Sequence, residues 1–252
     1  MPDQRRHRGP HPEDSQLFSS TQIPELRSAV GDLSWLLSRG YAATSSLKLV
    51  GDRYKLAARQ RAAVARCACT DEQRCIRQEK CLPANSVSDR ELWLDGYNVL
   101  TSIEAALSGG VLLRGRDQCI RDMASMHGSY RKVAETVPAI ELIGNALVAW
   151  EVSHCRWLLD QPVSNSGRLR AMLVESAETQ HWNWDVELVP DPDPILAEAK
   201  ACIATADSEI LNQTGSWVNL VGWIVESELP DAWLVDLSDS EMSVDDQMHQ
   251  GI

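Results

Sequence analysis

The chain has 252 residues, enough for one large domain or two modest ones, and its composition is that of a soluble globular protein. A formal charge of -12 and a pI near 4.9 argue against a protein that coats nucleic acid non-specifically. No run approaches the roughly 18 apolar residues of a membrane helix, so a membrane partner is not expected.

The basic stretch from Met1 to Gly9 is followed by no apolar core. It therefore does not read as a signal peptide, and a cytoplasmic location is expected. Seven cysteines, an odd count without an export signal, argue against a disulfide framework. Residues 1–22 are rich in Pro, His, Arg and Ser with almost no apolar content, which predicts a disordered tail.

From Ile23 the pattern turns helical. Leu26, Val30, Leu33 and Leu37 recur at helical spacing after Pro24, and Gly40 ends the run. A second helix is predicted from Ala42 to Val50, stopped by Gly51, and a third from Tyr54 to about Cys69. Residues 23–85 thus form a predicted small all-α domain. It is basic where the rest of the chain is acidic, led by Arg53, Lys55, Arg59, Arg61 and Arg66. Such a module suits either a helix-turn-helix-like nucleic-acid contact or a cap packed on the next domain. No recognition helix stands out, which favours the cap. Cys67, Cys69, Cys75 and Cys81 lie close in sequence but lack the paired Cys-x-x-Cys spacing of most structural zinc sites; reduced cysteines are the expectation. Leu82 to Asp89 reads as a linker.

Residues 86–237 alternate strands and helices. Leu92 to Leu94 is a short apolar run that ends in Asp95, Gly96, Tyr97 and Asn98, the look of a buried parallel strand leaving its sheet. Ile103 to Leu107 reads as a short helix closed by Gly109-Gly110, and a longer helix is predicted from Arg114 to Thr136. On that helix Asp117 and Arg121 have ion-pair spacing, and His127 falls on the apolar face as a buried, hydrogen-bonded residue. Pro138 opens another helix. Cys155 to Leu159 is a second strand and ends in Asp160. Its loop carries Ser164, Asn165, Ser166, Gly167 and Arg168, chemistry for capping a helix or for cradling phosphate at its N-terminus. Strands follow at Trp184 to Val189 and Ala201 to Ala204. The segments Val218 to Val225 and Ala232 to Leu237 read as the last strands, and an acidic tail covers 238–252.

Strands and helices in this alternation predict a parallel sheet with right-handed crossovers, whose strand ends share one edge. Asp95, Asp160, Asp207 and Asp193 would then stand within reach of one another. Like charges gathered so closely repel unless a cation neutralises them, and Asp and Asn oxygens suit a hard ion, Mg²⁺ or Mn²⁺. Such ions activate water for phosphodiester displacement. Arg114, Arg116, Arg168 or Arg170 would hold substrate phosphates, together with Ser164 and Asn165. Asn98 would orient a ligand or water.

Three segments carry a resemblance. Leu94-Asp95-Gly96-Tyr97-Asn98-Val99 resembles the opening motif of the NYN branch of PIN-like nucleases, and the strand ending at Asp160 resembles that branch's second acidic strand. Ile203-Ala204-Thr205-Ala206-Asp207-Ser208 is similar to the Thr-x-Asp end of a later PIN strand, with Asp193-Pro194-Ile195-Leu196 where a helix-borne acid is expected. The resemblance covers about 91–237 and implies a three-layer α/β domain that hydrolyses RNA, with those aspartates as Mg²⁺ or Mn²⁺ ligands. The chain departs from the pattern in its long segment between Asp95 and Asp160 and in the prolines beside Asp193. It also resembles an uncharacterised family that joins a helical N-terminal domain to such a domain. The expected function is a divalent-metal-dependent ribonuclease with RNA as partner and homodimerisation left open. The alternatives are a non-catalytic nucleic-acid-binding or adaptor protein that retains the fold, and a phosphatase or nucleotide hydrolase using the same ions.

Overall fold

In the computed structural model, which describes residues 8–123 and 130–238, the N-terminal third is helical. Its elements are α1 (Asp14–Leu17), α2 (Ile23–Ser38), α3 (Ala43–Arg53), α4 (Ala58–Cys67) and α5 (Asp71–Lys80). The apolar stripe of α2 buries Leu26, Ala29, Val30 and Leu33 as its spacing requires. The third predicted helix starts later than expected, because Lys55 takes a positive φ of 51° and turns the chain before α4. Sequence reasoning missed α5. Its signal is a capping box: the Gln73 N–H donates to the Thr70 hydroxyl at 3.0 Å, and the Thr70 N–H donates to Gln73 Oε1 at 3.0 Å.

The predicted tail is not free where it is described. Phe18 is 2% exposed, Asp14 is buried and paired with Arg59, and Arg8 is paired with the buried Glu104. Composition misled here because the partners lie far along the chain. The basic residues of the helical region are also engaged: Arg53 with Asp32 at 3.5 Å, Arg61 with Asp52 at 2.9 Å, and Arg66 with the Asp122 carbonyl.

After a 3-10 turn, Ala84–Val87, the chain runs through β1 (Glu91–Asp95), α6 (Gly96–Leu107), β2 (Leu112–Arg114), β3 (Ile120–Asp122), α7 (Thr136–Ala149), β4 (His154–Asp160), α8 (Ser166–Gln180), β5 (Trp184–Val189), α9 (Pro192–Ala197), β6 (Cys202–Ala204), α10 (Ser208–Gln213), α11 (Leu220–Glu228) and β7 (Leu234–Asp236). Four strands form one sheet in the order β5-β4-β1-β6, and every neighbouring pair is parallel. Leu92, Leu94, Trp157 and Leu159 pack under α6, α7, α8 and α11. Leu158 and Ile203 point the other way, to Leu196 of α9 and to Ile210 and Leu211 of α10. The parallel sheet is therefore covered on both faces, as parallel sheets require.

A second sheet, β3-β2-β7, pairs β2 antiparallel to β3 and parallel to β7. Its Leu113 and Val235 share one core with Leu26, Val30, Leu33 and Val64 of the helical region. The helices thus pack on this small sheet, whose β2 and β3 lie in the long segment between Asp95 and Asp160.

Two segments correct the sequence reading. Over its described first part, the helix predicted from Arg114 to Thr136 is replaced by the β2-β3 hairpin, closed by the Gly115 N–H donating to the Cys119 carbonyl at 3.0 Å. Asp117 and Arg121 do pair, at 2.7 Å, but across the turn of the hairpin. His127 and the acidic stretch 239–252 lie outside the described residues. The second correction is α11 in place of a strand at Val218 to Val225, with Asn219 capping it by accepting the Gly222 N–H at 3.1 Å. Among the described residues, no helix is long and apolar enough to cross a membrane.

Candidate active site at the carboxyl edge of the parallel sheet

β1 ends at Asp95 because the chain there must leave the sheet and begin α6. Asp95 is the N-cap, its Oδ1 accepting the Asn98 N–H at 3.4 Å. Its Oδ2 accepts a hydrogen bond from the Thr205 hydroxyl, just beyond β6, at 2.8 Å. Asn98 Oδ1 accepts the Ala206 N–H at 2.8 Å. Two side-chain bonds therefore lock the end of β1 to the end of β6. Asp207 caps α10: its Oδ1 accepts the Glu209 and Ile210 N–H groups at 2.8 and 3.2 Å. Among the described residues its Oδ2 accepts none. Asp193 sits on the first turn of α9, where Asp191 Oδ1 accepts its N–H at 3.2 Å.

The four predicted carboxylates meet electrostatically. Burial pushes the Asp95 carboxyl up to about 7; the Thr205 and Asn98 bonds pull it down, and the charges of Asp207 and Asp193 push it up again. Asp193 is raised by partial desolvation, then by Asp207, Asp191 and Asp160. Asp160, half-buried at the end of β4, is raised by desolvation and then by Asp191. Asp95, Asp193 and Asp207 thus form the tighter group, and Asp160 flanks it. Tyr97 joins the flank: burial and then the Asp160 charge push its phenol up to about 12. Its hydroxyl is buried without a hydrogen-bond partner among the described residues.

The basic residues expected to hold substrate are elsewhere. Arg114 pairs with Glu226 at 2.6 Å and Arg116 with Asp71 at 2.7 Å. These pairs knit the second sheet to α11 and α5, and neither arginine is brought to the acidic rim. Asn165 takes a left-handed φ of 69°. Its Nδ2 donates to the Tyr130 carbonyl at 2.9 Å, and the Ser164 carbonyl accepts the Tyr130 N–H at 3.0 Å. That loop is a brace for the Tyr130 segment. Arg168 is exposed on the first turn of α8, and Arg170 Nε donates to the Val186 carbonyl at 2.9 Å.

Beside the rim lies a cleft of about 340 Å³, lined by Asn98 and Thr101 of α6, Asp122 of β3, Asp207, Ser208 and, from the helical region, Arg66. Sequence reasoning gave this cleft no role. Among the described residues, no three His, Cys, Asp or Glu side chains stand close enough to ligate one ion directly, the four clustered cysteines included.

Residues 25–80 match the family model "Protein of unknown function (DUF434)". "Uncharacterized protein MJ0935" of Methanocaldococcus jannaschii is 27% identical over 186 residues, covering 74% of this chain and 88% of that relative. No solved structure matches the chain. Residues 84–223, over half of the chain and including all four acids, match the model "Domain of unknown function (DUF5616)", and the chain belongs to that family.

Proposed function

We propose that the chain is a divalent-metal-dependent nuclease that hydrolyses RNA phosphodiesters at the carboxyl edge of its parallel sheet. One observation supports this reading: Asp95 is raised by the charges of Asp207 and Asp193, and Asp193 by those of Asp207 and Asp160, so these acids from the ends of β1, β4 and β6 and from α9 lie within one another's field. Turn preference explains each acid singly but not their mutual field.

The donor set fits a hard cation, being carboxylate oxygens with a carboxamide beside them. No three acids are within direct ligating range among the described residues. That suits Mg²⁺, which keeps several waters and takes only one or two carboxylates directly. Asp95, Asp193 and Asp207 would hold the ion, with Asp160 at its flank. When bound, it would supply water activation and neutralise charge developing on the phosphoryl oxygens. The protein's own part is positioning. Thr205 fixes the Asp95 carboxyl, and the Ala206 N–H holds Asn98 Oδ1 so that the amide Nδ2 is left to donate to substrate.

The test is cleavage of single-stranded RNA by purified protein with Mn²⁺ or Mg²⁺, repeated with Asp95→Asn and Asp207→Asn. Activity should require the ion and be lost in both variants; equal cleavage by the variants would point to a contaminating nuclease and remove the reading. That no three acids stand in direct ligating range among the described residues favours one competitor, a non-catalytic nucleic-acid-binding module. That module would bind RNA in a salt-sensitive, metal-independent way that Asp95→Asn leaves intact.

A further inference from the structure

We infer that the cleft beside the acidic rim is a binding site for the last nucleotide of a strand, whose terminal phosphomonoester is held by Arg66. This rests on the nuclease reading for its substrate class and shares Asn98 with it, but takes its charge recognition from Arg66, which the nuclease reading does not use.

The cleft is donor-rich. Arg66 Nη1 donates to the Asp122 carbonyl, which orients the guanidinium, and its Nε and Nη2 have no hydrogen-bond partner among the described residues. Asn98 Oδ1 is occupied by the Ala206 N–H, leaving the amide donors of Nδ2. The Ser208 hydroxyl accepts from Arg121 Nη2 at 3.4 Å, so its own proton is free to donate. The Thr101 hydroxyl lines the same space. Beneath these groups, Arg77 and Arg121 share the single carboxylate of Asp117 at 2.6 and 2.7 Å. All three side chains are buried, so two cations face one anion, which offsets part of the negative charge that Asp122, Asp207 and Glu209 bring to the wall of the cleft. A terminal phosphate carries close to two negative charges and three strong acceptor oxygens, which suits the side of the cleft where the Arg66 guanidinium stands with the neutral donors of Asn98, Thr101 and Ser208.

Size and the remaining wall agree. A volume of about 340 Å³ is at the small end of ligand pockets and admits one nucleotide, not a helix. Asp122 is held on the wall by its Oδ2, which accepts the Ser102 hydroxyl at 3.0 Å. Asp207 stands at the boundary between cleft and rim, so a strand seated by its end would pass directly over the acids. Because Arg66 comes from α4, the site is complete only when the helical region is docked.

The experiment compares three short RNAs of one sequence, carrying a 5′-phosphate, a 3′-phosphate or neither, by fluorescence anisotropy on the full chain in EDTA. One phosphorylated form should bind about tenfold tighter than the plain RNA, the scale of a charge-assisted hydrogen bond. Which form it is identifies the strand end. Arg66→Ala should erase the preference. Should that variant fail to fold, Thr101→Val combined with Ser208→Ala, which removes only hydroxyls, should reduce it. Equal affinity for the three RNAs, or a preference that survives in folded variants, overturns the inference. The readout needs no cleavage. A protein that prefers phosphorylated ends yet never cuts keeps the cleft and loses the nuclease; one that cuts without preference does the reverse.

Discussion

The Thr205 hydroxyl donates to Asp95 Oδ2 at 2.8 Å while its oxygen accepts the Asp207 N–H at 3.0 Å. One buried side chain therefore connects two acids that are more than a hundred residues apart in sequence, and it sets the distance between the ends of β1 and β6. The bond also pulls the Asp95 carboxyl down against burial.

Thr205→Val keeps the shape and removes both bonds. Stability should fall by about 1 kcal/mol, the net worth of a hydrogen bond, or somewhat more because the Asp207 N–H loses its acceptor. The Asp95 carboxyl should titrate at higher pH than in the unaltered protein, read by NMR of the labelled side chain. An unmoved titration would mean that Thr205 does not tune the acid.

The pH dependence of stability has a definite sign. Asp95 titrates near 3.8 when unfolded and about 7 when folded, so the native state binds the extra proton between those values. Stability therefore falls as pH rises through that window, by at most about 4 kcal/mol over roughly three units. Asp95→Asn should be more stable than the unaltered protein at pH 8 without divalent ions, and the advantage should vanish near pH 4. Urea denaturation at both values decides it; a difference independent of pH would contradict the assigned burial.

Asp117 behaves in the opposite way. Burial would push its carboxyl up, but Arg121 and then Arg77 outweigh this and hold it at about 2. Its contribution is present above the unfolded value near 3.8 and is lost as pH falls through about 2. Asp117→Asn leaves two buried guanidinium groups with no counter-charge, a change that costs about 3–5 kcal/mol when one partner of a buried pair is removed. Denaturant midpoints should drop accordingly; a loss below about 1 kcal/mol would show that water or a neighbour compensates.

What was legible in the sequence follows from burial. β1, β4, β5 and β6 lie in a parallel sheet covered on both faces, so they read as apolar runs, each with an aspartate at or soon after its end. α11 was mistaken for a strand because Leu220, Val221, Gly222, Ile224 and Val225 are all buried, which erases the one-sided stripe of a helix. The β2-β3 hairpin was hidden because Asp117 and Arg121 are four residues apart, a spacing that a helix and a tight hairpin both satisfy. Arg114 and Arg116 looked available only because their partners, Glu226 and Asp71, are remote in sequence. Arg66 was read only as one of a basic cluster for the same reason: its place beside Asn98 and Ser208 comes from how the helices dock on the small sheet, which no local pattern encodes.

Gly96 shows where turn chemistry and site geometry part. Asp95-Gly96 reads as an ordinary turn pair, yet Gly96 opens α6 in regular helical backbone and needs no positive φ. Its requirement is space. A Cβ there would lie 2.5 Å from Leu159 Cδ2 and 2.8 Å from the Leu158 carbonyl oxygen of β4. The side chain could turn aside, but the backbone oxygen belongs to the sheet and cannot. Gly96→Ala must therefore lift the start of α6 off β4, carrying Asp95 and Asn98 away from Asp160. The expected loss is about 1–3 kcal/mol of stability, the scale of overpacking a filled core. On the nuclease reading, RNA cleavage should fall at least as far as in Thr205→Val, since both β4 and β6 lose their register with the acid. Melting curves and cleavage rates measured on the same preparation test the two halves separately. A variant of unchanged stability would show that α6 is not seated as closely on β4 as the Gly96 contacts require.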